Sequence, residues 1–433
     1  MKKTVQILLA GIFVCFTGCK FEEENIFDDS SANRLEKAKI EYAGLLCSSP
    51  NGWVMEYFPT DDQTGYTFLM KFLENGEVKM LSKSALTGNK LTRDSCLFEF
   101  TSISGPVLTF NSYSENNTFH QLSTPEDISG TDGSEQGYGY GGDYEFTVMK
   151  TGTNHILLKG LKRKVYIPLT RLPEERNWED YFNLLDEMNT TLFGANTPQL
   201  RLTVNDSSFT LTGGASHIFK ITPESGDPVT DGIDRSFIIT DYGIRFAKPF
   251  ETNDLSVQTF QLSEDKGSLI CTDENVNAKI EGPDVVQFFN ERADNGGRWS
   301  LATGENTMSG QVKAIYDRAV KSFSDKNITL SQIAYIYSGR YSTQSILITV
   351  NKNTTGVLFF DKEATQEGVN YTFKNNYDSN GKVFYTNYDG VKELIDNVLS
   401  GTFRIEPVGS KLSPSSIKFI HTGNPDIWFV VEI

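Results

Sequence analysis

The sequence predicts a mainly β protein with a few helices, and three observations carry that expectation. From Asn51 onward the chain alternates polar and apolar residues with period two, in short runs rich in Phe, Tyr, Val and Thr. Helical spacing appears only in isolated stretches that precede or separate groups of such runs. Three stretches also echo one another: "SGPVLTFNSYSENNTF" from Ser104, "TDYGIRFAKPFETNDL" from Thr240 and "SNGKVFYTNYDGVKEL" from Ser379. Each offers a glycine, an aromatic-bearing strand and a further aromatic before a polar bend. Whether they are true repeats stays open.

The N-terminus reads as an address. Lys2 and Lys3 precede an apolar run, Val5 to Phe16, too short to anchor across a bilayer. A basic start, a short apolar stretch and small residues at its end describe a secretory signal. Phe16, Thr17 and Gly18 before Cys19 resemble the lipobox of bacterial lipoproteins, with Phe16 in place of the usual leucine. Cys15 competes, but bulky Phe13 and Val14 precede it. Residues 1–18 are therefore expected as a lipoprotein signal peptide, with Cys19 lipidated and anchoring the chain without spanning the membrane. Residues 19–30, which include "KFEEENIFDD", are expected as an acidic tether; the run also resembles the acidic export signal that follows the lipidated cysteine of Bacteroidetes lipoproteins sent to the outer face of the outer membrane.

Residues 31–175 are expected as a helix plus a barrel-like β domain. Asn33 and Glu36 stand at capping-box spacing, and Leu35, Ala38, Tyr42, Leu45 and Leu46 share a face, before "SSPNG" stops the helix. Eight strand candidates follow: "GWVMEYF", "YTFLMKF", "GEVKML", "CLFEFTS", "GPVLTFNS", "DYEFTVMK", "HILLKGL" and "VYIPLTR". The turn "ENGE" joins the second to the third.

The same grammar recurs over 176–284. A helix from Trp178 to about Met188, capped by Asn177, leads into "LRLTV", "SFTLTG", "HIFKIT", "RSFIIT", "GIRFAK", "TFQLS", "SLICT" and "AKIEG". Residues 285–433 read as an α+β domain with two helices, "GQVKAIYDRAVKSF" and "DGVKELIDNVLSG". Its strands are "QIAYIYSG", "SILITVN", "GVLFFD", "YTFKNN", "KVFYTNY", "TFRIEP", "SIKFIHT" and "IWFVVEI". Eight strands suit a small closed barrel, and closure removes exposed edges. The expected architecture is thus a set of antiparallel β-meander or barrel-like (lipocalin-like) units, each accompanied by a helix.

Charge and chemistry exclude more than they identify. The 433 residues carry a formal charge of −16, and loss of Lys2 and Lys3 with the signal leaves 38 basic against 56 acidic side chains, or −18. Such a chain repels phosphate backbones, so no nucleic-acid partner is expected. Cys47, Cys96 and Cys271 sit far apart in apolar settings and read as buried thiols, with one disulfide open and a Cys-rich zinc site excluded. His120, His155, His217 and His421 share no metal-ligand spacing, and no G-x-S-x-G elbow occurs. Asn376, Asp378, Asn380 and Gly381 match the opening of a calcium loop, but Asn387 stands where the closing glutamate belongs; a hairpin turn is expected instead. No catalytic residue, metal or cofactor is assigned.

The most distinctive loop is "GSEQGYGYGGDY", Gly133 to Tyr144. Its glycine-spaced Tyr138, Tyr140 and Tyr144 are candidates to present flat rings to a sugar or peptide, against the plainer reading of a mobile connection with Tyr144 turned into the barrel. Trp53, Trp178 and Trp428 fall in periodic segments and are expected in the core. Trp299, after "ADNGGR", is expected to be partly exposed and joins the candidate ligand-binding residues.

The segments "RLEKAKIEYAGLLCSSPNGWVMEYFP", "GYTFLMKFLENGEV", "GPVLTFNSY", "GDYEFTVMK" and "NGKVFYTNYDGVKELIDNVLSGTFRIEP" resemble Bacteroidetes lipoproteins of domain-of-unknown-function family 4302. Ser49 stands where the resembled "APNGW" begins with alanine. The resemblance implies an outer-membrane, lipid-anchored protein facing the cell exterior. It would be a non-catalytic accessory of a nutrient importer that pairs a TonB-dependent channel with a surface binding lipoprotein, taking a glycan or peptide. It supplies no catalytic residues. Two alternatives stay open: a structural lipoprotein scaffolding an outer-membrane complex, and a hydrolase using paired carboxylates across a cleft.

Overall fold

A computed structural model describes residues 30–103, 105–114, 116, 118–123, 140–194 and 199–433. The lipidation candidate Cys19, the signal, all but the last residue of the tether and Tyr138 lie outside these. Among the described residues the strands form three closed, antiparallel, eight-stranded barrels. Barrel 1 runs from Trp53–Tyr57 to Tyr166–Arg171, barrel 2 from Leu200–Val204 to Ala278–Glu281, and barrel 3 from Trp299–Leu301 to Trp428–Glu432. In each, sequential strands pair as neighbours and the first closes on the last: Trp53 opposite Arg171, Val204 opposite Ala278, Leu301 opposite Val431.

The helices are α1 (Ser31–Cys47), α2 (His120–Ser123), α3 (Trp178–Phe193), α4 (Val285–Asp294), α5 (Gly310–Ser324) and α6 (Ser379–Asn387), followed by a turn at Val391–Glu393 that widens into a π-helix over Leu394–Val398. One helix precedes each barrel and seals it. The α1 cap is Ser30, whose hydroxyl accepts the Asn33 amide at 3.2 Å, so the Asn33 capping box gives way to an earlier start. Leu46 enters the barrel 1 core, and the Trp53 indole N–H donates to its carbonyl at 2.8 Å.

Asn177 caps α3 as its sequence implies, accepting from the Glu179 amide at 2.7 Å. This helix bridges two barrels. Tyr181 and Phe182 cover Val54, Leu69 and Leu81 on the outside of barrel 1, while Leu192 and Phe193 reach the core of barrel 2. Helix α4 does for barrel 3 what α1 does for barrel 1, burying Phe289 and Ala293.

Two expectations in barrel 3 are corrected. "KVFYTNY" is not a strand but part of α6: the Asp378 carboxylate caps it by accepting the Gly381 amide at 2.7 Å, and Tyr388, just beyond it, stacks on Phe323 of α5 with ring centroids 4.0 Å apart. Capping and packing override the strand-like alternation, and the expected hairpin at "DSNG" is this helix start. The third echo therefore falls. The first two mark the fifth strands of their barrels (Pro106–Phe110 and Gly243–Thr252), whereas Ser379 opens the helix after the fifth strand of barrel 3, Gly368–Tyr377.

Alternation fills the interiors with side chains. Barrel 1 packs Tyr57, Phe68, Phe110, Phe119 and Phe146 against one another, with Phe110 and Phe119 centroids 4.6 Å apart. In barrel 2, Phe219 stacks on Phe237 at 4.6 Å. An eight-stranded barrel is just wide enough for such filling.

The barrels are locked together. Between barrels 1 and 2, the Arg245 guanidinium pairs with Glu56, the Tyr242 hydroxyl donates to Glu56 at 3.2 Å, and Phe58 packs with Val165, Ile238 and Ala247. Between barrels 2 and 3, Leu412 from a barrel 3 loop is fully buried in the barrel 2 core.

Candidate functional site

The fifth strand of barrel 1 ends at Phe110, and the chain leaves the barrel before returning at Tyr140. The departing loop is tied down by two side chains. Asp94, on the strand Thr92–Ser102, accepts the amides of Asn116 and Thr118, both at 3.0 Å, and the Thr118 hydroxyl at 2.6 Å. Burial alone would raise the Asp94 carboxyl, but these hydrogen bonds outweigh it and hold it below its ordinary range. His120, at the start of α2, accepts the Ser114 amide on Nδ1 at 3.1 Å and donates from Nε2 to the Phe110 carbonyl at 3.3 Å. Burial lowers its pKa, keeping the imidazole neutral.

Within this tied loop stands Tyr113, 82 % exposed, with the His120 ring 5.3 Å from its own. On the returning segment, Gly142 has no room for a side chain, since a Cβ would meet the Tyr57 hydroxyl at 2.2 Å. Asp143 is spent on structure: its carboxylate accepts the Lys162 and Arg163 amides at 2.6 and 2.7 Å. Tyr144 follows, 44 % exposed. Tyr113 and Tyr144 thus line one cleft of about 560 Å³ with Asn111, Ser112, Glu145 and Lys162. Its surfaces are aromatic faces and hydrogen-bonding polar groups, an arrangement suited to binding.

Of the tyrosines named from the sequence, Tyr144 lines this cleft and turns outward rather than into the barrel. Tyr140 packs instead on Tyr66, with centroids 6.0 Å apart. Trp299 is a correction: it is fully buried, 5.2 Å from the Phe289 ring and under the Arg292 guanidinium, because it opens the first strand of barrel 3 and α4 folds over it. The sequence pattern does not mark Tyr113 or His120 as site residues, although Tyr113 is the aromatic before the polar bend in the first echo.

Among the described residues no group of three or more His, Cys, Asp or Glu is placed to hold a metal ion. Asp378, the centre of the calcium-like spacing, also accepts the Val357 amide at 3.0 Å and is occupied as a helix cap. Cys47, Cys96 and Cys271 are free thiols, and burial pushes that of Cys96 up to about 12.

A pH dependence follows. Both His120 and Asp94 have folded pKa values below their ordinary 6.5 and 3.8, so each contributes stability above that value and loses it as pH falls. The Tyr113 loop is expected to loosen in two stages, the first below pH 6.5 from His120 and the second below 3.8 from Asp94. Amide exchange at Ser114 and Thr118 against pH measures both, and His120→Gln should remove only the first stage.

The profile of the family described as "Domain of unknown function (DUF4302)" matches residues 23–264, more than half of the 433 residues. The chain belongs to this family. In this DUF4302 protein the match covers barrel 1, α3 and most of barrel 2. No curated protein matches it. Among solved structures it is similar to isotype 1 transferrin binding protein B from serogroup B Neisseria meningitidis, at 9 % identity and a TM-score of 0.13. That match covers 85 % of the DUF4302 chain and 65 %, less than two thirds, of the other.

Proposed function

We propose that this DUF4302 protein is a surface-exposed lipoprotein of the outer membrane, anchored through Cys19, that binds a glycan or peptide as a non-catalytic accessory of a nutrient importer. The observation that carries the binding role is Tyr113: a large aromatic side chain left 82 % exposed on a loop that Asp94 and His120 hold in place. Ordering a loop to display an apolar ring in water costs conformational entropy, and burial of the ring against a partner offsets that cost. Pre-ordering reduces the cost of binding. The anchor and address are supported by the lipobox-like residues before Cys19 and the acidic tether; the importer association is supported by the family resemblance. Among the described residues no helix is long and apolar enough to cross a membrane.

The test is a thermal-shift screen against glycans, their oligosaccharides and peptide digests. A ligand specific to the folded state at 100 times its Kd should add about 2.7 kcal/mol. Tyr113→Ala is expected to abolish the shift while changing the ligand-free melting temperature little, since an exposed side chain is removed. A panel without any shift would favour the scaffold reading. Acyl labelling that persists in Cys19→Ala would refute the anchor.

A further inference from the structure

The seam between barrels 2 and 3 holds a second cleft, of about 950 Å³, near the upper end of the roughly 300–1,000 Å³ of small-molecule sites. Its walls come from different barrels but are fixed to each other. Leu412 is buried in barrel 2, Lys411 pairs with Asp265 at 2.8 Å, and the backbones approach so closely at Gly282 that a Cβ there would lie 2.1 Å from the Lys411 carbonyl oxygen. The cleft is therefore formed before any ligand arrives.

We propose that this seam is a binding site for a neutral oligosaccharide. Its lining is dominated by planar hydrogen-bonding side chains: Gln199, Arg201, Glu224, Gln287, Glu291 and Arg292. Carboxylates, guanidinium groups and amides each present two parallel contacts, the spacing that neighbouring hydroxyls on a sugar ring offer. Phe288, partly buried on α4, adds an aromatic surface.

Charge argues against an anionic ligand, and the mixed signs of the lining give a cation no dominant partner. Arg201, Arg292 and Lys411 face Glu224, Glu281, Asp284 and Glu291, and several are already matched: Arg201 with Glu224 at 2.8 Å, and Glu281 with Lys279 at 2.9 Å. An anion would also meet the field of a chain at −16. A peptide would need side-chain pockets or a free strand edge, and the closed barrels offer no such edge here. A hydroxyl-rich neutral chain uses donors and acceptors of both signs without leaving a charge unmatched.

This extends the nutrient-binding reading to a second cleft, and the two are separable. Isothermal titration of the full chain with maltohexaose, cellohexaose, xylohexaose and mannohexaose is the measurement. At least one should bind. Arg201→Ala combined with Gln287→Ala should weaken that binding tenfold or more at an unchanged melting temperature, because both side chains act at the surface of the cleft. Tyr113→Ala should leave it in place. Absence of binding by all four sugars overturns the proposal, as does binding that survives Arg201→Ala/Gln287→Ala. If Tyr113→Ala alone removes it, the seam site falls while the tyrosine cleft stands.

Discussion

Arg245→Met is expected to destabilise the junction of barrels 1 and 2 by about 3–5 kcal/mol, the cost of leaving a buried charge without its partner. The Arg245 side chain is 9 % exposed and that of Glu56 is 7 %. The guanidinium donates to Glu56 and lies 5.1 Å from the Phe58 ring, while the Tyr242 hydroxyl also donates to Glu56. Methionine roughly preserves the aliphatic volume, so the loss comes from the abandoned carboxylate rather than a cavity. The first thermal transition should fall by roughly 6–20 °C, at about 2–4 °C per kcal/mol. Replacing both partners, Glu56→Leu with Arg245→Leu, should return most of that stability, since an apolar pair of similar volume needs no compensation. A double variant as unstable as Arg245→Met would show that the site needs the charges themselves.

That ion pair also marks the limit of what the sequence displays. In "WVMEYF", alternation places Glu56 on the outer face of a strand, where an isolated barrel would leave it in water. Its burial comes from barrel 2, and nothing local to the strand announces a second barrel resting there. Within units the pattern is far more legible. The strands of barrels 1 and 2 follow from period-two runs bounded by turn residues, because each barrel has one wet and one dry face.

Barrel 3 departs where local signals are short or overridden. Trp299–Leu301 spans three residues, too few to show alternation, so the sequence implies partial exposure of Trp299 where the structure buries it. Helix α4 carries little helical signal in the sequence, although Asp284 stands as its cap and accepts the Gln287 amide at 2.8 Å. Its apolar residues 285, 286, 288 and 289 end in a charged, glycine-closed stretch that resembles a linker. At the tyrosine cleft, composition pointed to the Gly-rich loop, and Tyr144 does line the cleft. Tyr113 depends on Asp94 and His120, whose contacts bring together residues distant in sequence and leave no local pattern.

Leu412→Ala is expected to cost about 2–5 kcal/mol, the range for truncating a buried leucine, and to weaken barrel 2 although the residue belongs to barrel 3. Leu412 lies between the strands Gly401–Val408 and Ser416–His421, fully buried with Leu192 and Phe193 of α3. Its loop is shaped for this insertion. The Ser410 hydroxyl donates to the Thr191 carbonyl and accepts the Leu412 and Ser413 amides at 3.1 and 3.2 Å. Barrel 2 is thus sealed at this end by its own helix and by a neighbour's loop together. Hydrogen exchange should rise first in barrel 2 strands beside α3, such as Leu200–Val204 and Ile218–Pro223, with the far strands of barrel 3 less affected. Lys411→Ala should leave stability nearly unchanged, because its pair with Asp265 is solvent-exposed. Loosening confined to barrel 3 would mean that Leu412 shapes its own hairpin and that barrel 2 holds without it. Loosening centred on barrel 2 would make the chain an interlocked unit, in which the seam cleft keeps its shape because neither barrel is finished without the other.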